Sequence, residues 1–198
     1  MSALATSPAP GFADAVHDTQ QVFRRLLDAF THPGRVILLL QRLAAPDALW
    51  ASSAALALTL FDHSTPVHLD PVLDTAPVCD FLRFHCGAPL VEAPAEASFA
   101  LVGNASAVDL GSFAPGDTAR PERSATVLIQ VPSFLHGRPV RLTGPGIATT
   151  ASLIVDGLEP TFWRQWRENG ALYPGGVDVV LAAPEAIAVL PRTVRAED

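Results

Sequence analysis

Four short apolar runs constrain this chain most. Arg35 to Leu40, Ala125 to Val131, Val177 to Ala182 and Ala186 to Leu190 are rich in aliphatic residues, and turn-forming residues bound them. Runs this short suit strands rather than free-standing helices, and the near-continuous hydrophobicity of Arg35 to Leu40 suits a buried strand. No apolar segment approaches the roughly 20 residues needed to cross a bilayer. The longest, Ala48 to Phe61, is interrupted by Ser52, Ser53 and Thr59.

Between the runs the period changes to that of helices. From Asp14 to Thr31, Val16, Val22, Phe23, Leu26, Leu27 and Phe30 recur at helical spacing, with Asp14 as N-cap. His32-Pro33-Gly34 stops that helix, because proline disfavours helical geometry in the residue before it. Pro46 and Asp47 are expected to open a second helix running through Phe61. Asp74 is expected to cap a third through Phe84, with Pro77 in its first turns. Glu159 to Glu168, with Trp163 and Trp166, reads as a fourth, ended by Gly170.

Thr65 to Leu69, Leu90 to Glu92, Ser98 to Val102 and Val140 to Leu142 are further short strands. Ala125 to Val131 and Val140 to Leu142 are expected to pair across the turn at Pro132 to Pro139. Gly103 to Arg123 is the longest weakly patterned stretch, a length usual for functional or mobile loops. Strands interleaved with helices early and paired late predict an α/β fold, a mixed central sheet covered by helices in three αβα layers. The expected organisation is a flexible start over residues 1–13, a single domain over 14–195 and a tail at 196–198.

The chemistry is bounded by what is missing. All thirteen basic residues among the 198 are arginine. Without lysine there is no internal aldimine with pyridoxal phosphate and no Walker A loop, since a guanidinium stays protonated. A G-x-S-x-G elbow and an H-E-x-x-H pair are also missing. The net charge of -7 speaks against a nucleic-acid surface. With no basic region followed by an apolar run at the start, a cytoplasmic location is expected. Cys79 and Cys86, seven apart, match neither a C-x-x-C pair nor a zinc ribbon and read as buried thiols. A metal site of Cys79, His85 and Cys86 is the sharper alternative.

Several strings carry polar residues that packing alone does not require. In Phe23-Arg24-Arg25-Leu26-Leu27, either the arginines solvate the helix or one of them holds a phosphate or carboxylate. Asp62, in Leu60-Phe61-Asp62-His63-Ser64-Thr65-Pro66-Val67, reads as a turn former bonding nearby amides. Arg83 and His85, between aromatics in Phe81 to Leu90, fit either a satisfied polar network or the wall of an anion pocket. Arg141 leads a strand into Thr143-Gly144-Pro145-Gly146-Ile147, read as a plain turn. Asp178, heading an apolar strand, needs a partner if buried, and Arg192 is the candidate. Leu158, Phe162, Trp163 and Trp166 fit an exposed docking helix as well as a buried one.

In their order and spacing, these strings resemble the PhnH family of the bacterial carbon-phosphorus lyase system. The resemblance lies in F-R-R-L-L with its P-G exit, D-x-x-T-P-V, R-F-H-x-x-A-P-L, L-T-G-x-G-I, the G-x-D strand and the final L-P-R-T, and spans about Asp18 to Thr193. It implies a reduced version of the pyridoxal-phosphate transferase fold that binds no cofactor. It also implies a homodimer assembling with PhnG, PhnI and PhnJ, with PhnK and PhnL as associated ATPase-like proteins. The implied activity is that of the complex: ATP as co-substrate, its ribose 5-triphosphate moiety passed to an alkylphosphonate, and adenine released. Such a displacement needs groups that hold a triphosphate and stabilise a departing base. Arg24, Asp62, Arg83, His85, Arg141, Asp178 and Arg192 are the candidates for substrate contact. No catalytic residue is assigned to this chain, and the subunit is expected to be auxiliary. The alternative is an independent small-molecule or nucleotide-binding enzyme with an Arg83/His85 pocket.

Overall fold

The computed structural model of the chain describes residues 9–41 and 43–197. Strands β1 (Ile37–Leu38), β2 (Val67–Leu69), β3 (Leu90–Val91), β4 (Phe99–Val102), β5 (Thr126–Gln130), β8 (Asp178–Ala183) and β9 (Ala186–Leu190) form a seven-stranded sheet in the order β1-β9-β8-β5-β4-β2-β3. β3, β2, β4, β5 and β8 run parallel, and β9 is antiparallel to both its neighbours. Strands β6 (Pro139–Thr143), β7 (Ala151–Ile154) and β10 (Arg195–Glu197) make a second, antiparallel sheet in the order β10-β6-β7.

The side chains of the central strands alternate between two cores, as a pleated strand requires. Leu101, Leu128, Val180, Ala182, Ile187 and Val189 enter one core, with Val22, Leu26, Leu56, Phe81 and Leu82 from three helices. These helices are α1 (Ala15–Thr31), α2 (Ala51–Leu60) and α3 (Ala76–Cys86). Ala100, Val102, Val127, Ile129, Val179, Leu181 and Leu190 enter the other core, beneath the small sheet and helix α4 (Pro160–Gly170). The mixed sheet and the three layers agree with expectation, but the far layer combines a sheet with one helix instead of being helical throughout.

Helix α1 starts where expected, the Asp14 carboxylate accepting from the His17 amide. The second helix begins later than Pro46, at Ala51. Gln130 is the cause: its side-chain oxygen accepts from the Trp50 amide at 2.9 Å and its amide donates to the Ala48 carbonyl at 3.1 Å, occupying backbone that a helix would need. The third is capped at Thr75, one residue after Asp74, and ends at Gly87 in the left-handed region with φ of 65°. Of the expected strand Arg35 to Leu40, only Ile37 and Leu38 pair with β9.

The expected pairing of Ala125–Val131 with Val140–Leu142 does not occur. β5 lies between β4 and β8, and β6 pairs with β7 and β10 in the other sheet. Burial separates the two: β5 is buried on both faces, whereas β6 alternates between exposed and buried. Trp166 and Phe162 are 1% exposed and Trp163 is buried, so α4 is a core helix. Residues 195–197 are strand, and Ala9 and Phe12 pack against the helix-side core.

Candidate functional site

Two of the singled-out strings meet in space. The exit of α1 lies against the Gly144-Pro145-Gly146 turn, where a Cβ on Gly146 would sit 2.6 Å from the Thr31 carbonyl oxygen. Gly146 has φ of 83°, so both its conformation and its neighbour demand glycine. The turn is thus a packing joint.

The seven candidate residues do not converge. Arg24 is on the exposed side of α1, while Arg25 lines a groove beside β1. Asp62 is the expected turn former, accepting from the Ser64 hydroxyl and amide at 2.7 Å each. Those hydrogen bonds, the hydroxyl's first, hold its carboxyl below the ordinary value. Arg141 is exposed and meets Glu197 at 3.7 Å.

Arg83 and His85 do not share a pocket, because two residues apart on a helix they face nearly opposite ways. Arg83 lines a hollow with Asp74 and Glu92. The His85 ring rests on Phe81 and Phe84, and its Nε2 lies 2.8 Å from the Ala9 carbonyl, tying the chain start to α3. The thiols also diverge: Cys79 donates to Asp74 at 3.3 Å and Cys86 to the Ala57 carbonyl at 3.7 Å. Burial pushes both thiols up, Cys86 to about 11. Among the described residues no group of three or more His, Cys, Asp or Glu is arranged to hold a metal.

Only Asp178 and Arg192 come together as expected. Arg192 Nη2 lies 2.6 Å from Oδ2 of Asp178, and Nε 3.2 Å from Oδ1, with side chains 15% and 16% exposed. Nη1 of Arg192 also donates to the Pro121 carbonyl at 2.8 Å, pinning the long middle stretch to the β8-β9 hairpin. That use of its donors makes Arg192 a structural clasp.

The place where the fold gathers unassigned polar groups is at the other end of the parallel strands. After β2 the chain goes to β3 on one side and then crosses to β4 on the other, so the carboxyl ends of β2 and β4 form a topological switch point, where open α/β sheets bind ligands. Asp70 closes its floor, accepting from the amides of Leu73, Gly103 and Asn104 at 2.9 to 3.0 Å. Gly103 permits this approach: a Cβ there would be 2.9 Å from Val72 Cγ1.

Two hollows of about 280 and 450 Å3 adjoin at this point, sharing His68 and Pro71. The first is lined by Asn104, Asp109 and Phe113 among others, the second by Asp74, Cys79, Arg83 and Glu92. His68 Nδ1 lies 3.3 Å from the Val91 carbonyl, and its ring meets Phe113 edge-on. A carbonyl only accepts, so this contact places a proton on Nδ1 and leaves Nε2 of the neutral ring as an acceptor. The cleft thus sets one cation, Arg83, among the carboxylates of Asp74 and Glu92, beside an imidazole flanked by an aromatic ring that can meet a planar polar group. Of this set the sequence points to Arg83 as a substrate contact, to Cys79 only as a buried thiol or metal ligand and to Asp74 only as a helix cap. His68 and Asp70 carried a signal only in ending a short strand that proves to be parallel.

A family model described as bacterial phosphonate metabolism protein (PhnH) matches residues 10–197. Over 187 residues, 94% of this chain and 94% of the relative, the chain is 39% identical to the alpha-D-ribose 1-methylphosphonate 5-triphosphate synthase subunit PhnH of Rhizobium meliloti (strain 1021). Over 175 residues, 88% of this chain and 83% of the relative, it is 37% identical to the putative C-P lyase subunit protein HtxG of Stutzerimonas stutzeri.

Proposed function

Since the chain belongs to the PhnH family of bacterial phosphonate-metabolism proteins, we propose that it is the corresponding subunit of a carbon-phosphorus lyase system, needed for transfer of the ribose 5-triphosphate moiety of ATP to an alkylphosphonate with release of adenine. The observation that carries this is the near end-to-end match to a synthase subunit, 94% of both chains. In this reading the chain is auxiliary, a homodimer working in the cytoplasm with PhnG, PhnI and PhnJ, alongside PhnK and PhnL. It uses no cofactor of its own, and its fold is a reduced relative of the pyridoxal-phosphate transferases.

The commitments of its polar residues support the auxiliary role. Asp62 is spent on its turn, His85 on the Ala9 carbonyl, and Asp178 and Arg192 on each other. The cleft at the ends of β2 and β4 is the surface assigned here to substrate contact, Arg83 meeting a phosphate or phosphonate and His68 a neutral part of the ligand. The test is genetic. A phosphonate-using bacterium lacking its own PhnH-type gene is expected to regain growth on methylphosphonate as sole phosphorus source when this chain is supplied. An Arg83→Ala version is expected to restore growth more slowly. Failure of the unaltered, expressed chain to restore growth would overturn the assignment.

A further inference from the structure

Among the described residues, strand β1 lies at the edge of the large sheet and has a neighbour on one side only, β9. Leu39 donates to the Glu185 carbonyl at 2.8 Å, so Ile37 and Leu39 turn their backbone groups toward β9. By the alternation of an antiparallel ladder, the N–H and C=O of Val36, Leu38 and Leu40 point to the open side. Exposed edges are normally blunted with charge, proline or a bulge. This one carries five aliphatic residues in a row, Val36 to Leu40, with Leu38 61% and Leu40 65% exposed. A groove of about 380 Å3 follows it, lined by residues 35–41 and by Gln21, Arg25 and Asp28 of α1.

We propose that this edge is the seam of a two-fold dimer, in which the 36–40 segments of two copies pair antiparallel about Leu38 and join the two large sheets into one. The proposal rests on the reading that the chain pairs with itself, and adds where and in what register. A two-fold interface must be complementary to itself, a condition that a foreign strand need not meet. Here Val36 faces Leu40 of the second copy, Ile37 faces Leu39, and Arg35 faces Gln41, so apolar meets apolar and no like charges oppose. The groove is open along the strand, as an added strand requires.

Light scattering on the purified full chain, the Leu38→Lys/Leu40→Lys double variant and a Leu135→Lys control tests it, Leu135 being 80% exposed elsewhere. The unaltered chain and the control are expected at twice the monomer mass and the double variant at half that, with unchanged circular dichroism because both leucines are already exposed. A monomeric unaltered chain would overturn the self-pairing itself and leave the edge for another protein's strand. A double variant that stays dimeric would overturn only this surface. The register is read separately: Leu38→Cys should give a covalent dimer with a short bis-thiol cross-linker, since facing Cα atoms lie about 5.5 Å apart in such a pair. Leu135→Cys and the unaltered chain should give none, and cross-linking in either, or none at Leu38→Cys, contradicts it.

Discussion

The two faces of the large sheet are held by different means. On the helix face, α1 to α3 cover the strands with aliphatic packing, to which Gln130 and Ser52 add a few hydrogen bonds. On the other face single polar side chains join elements remote from one another. Gln165 brackets Val108 and Leu110, Asn169 brackets Val177, and the Trp166 indole donates to the Val194 carbonyl; at the amino end of β8, Arg192 likewise ties Asp178 to Pro121. Continuous packing tolerates repacking, whereas each clasp is specific to its partner. The second face should therefore be the more sensitive to single substitutions that leave volume almost unchanged.

The largest expected effect is at the ion pair. Asp178→Ala leaves Arg192 in a largely buried site without its counter-ion and should cost about 3–5 kcal/mol in urea unfolding. A loss below about 1 kcal/mol would remove the contrast between polar clasps and apolar packing. Next, Asn169→Leu strands the Val177 amide and carbonyl and is expected to cost about 1–3 kcal/mol. On the helix face Leu56→Met, equally buried but served by packing alone, should cost less than about 1.5 kcal/mol. Reversal of that order would break the comparison.

A pH profile sharpens the helix face further. Burial raises the Cys86 thiol from 9.0 to about 11, so the folded state favours the protonated form more than the unfolded chain does. Its contribution is complete below pH 9 and is lost as pH rises toward 11. Cys86→Ala should flatten that part of an alkaline stability curve; an unchanged slope would show that other groups set it. The smallest effect is expected from Arg141→Ala, which breaks only the exposed pair with Glu197 and should change stability by less than about 1 kcal/mol.

The same division decides how much could be read from sequence. Helix α1, with its Asp14 cap, and the β8-β9 hairpin around Pro184-Glu185 follow from local pattern, which short-range physics sets. The Asp178–Arg192 pair was legible because a carboxylate heading an apolar strand needs a partner. The small sheet was not: β7 and β10 are four and three residues long, and their pairing with β6 depends on contacts across the chain. The alternating exposure of β6 was the available sign that it does not belong beside β5. The cleft was hidden for a related reason, since the hollow of Asp74 and Arg83 and that of Asn104 adjoin at His68 only because β2 and β4 run parallel and adjacent.

The central claim is that this chain acts as a required but auxiliary member of a complex, and adenine release measures it directly. The purified chain is mixed with ATP and methylphosphonate, alone and with the PhnG, PhnI and PhnL proteins, and free adenine is followed by chromatography. The account predicts no adenine above background from the chain alone, and release by the mixture that falls when the chain is left out. Sustained release by the chain alone, or undiminished release by the mixture without it, would contradict the account.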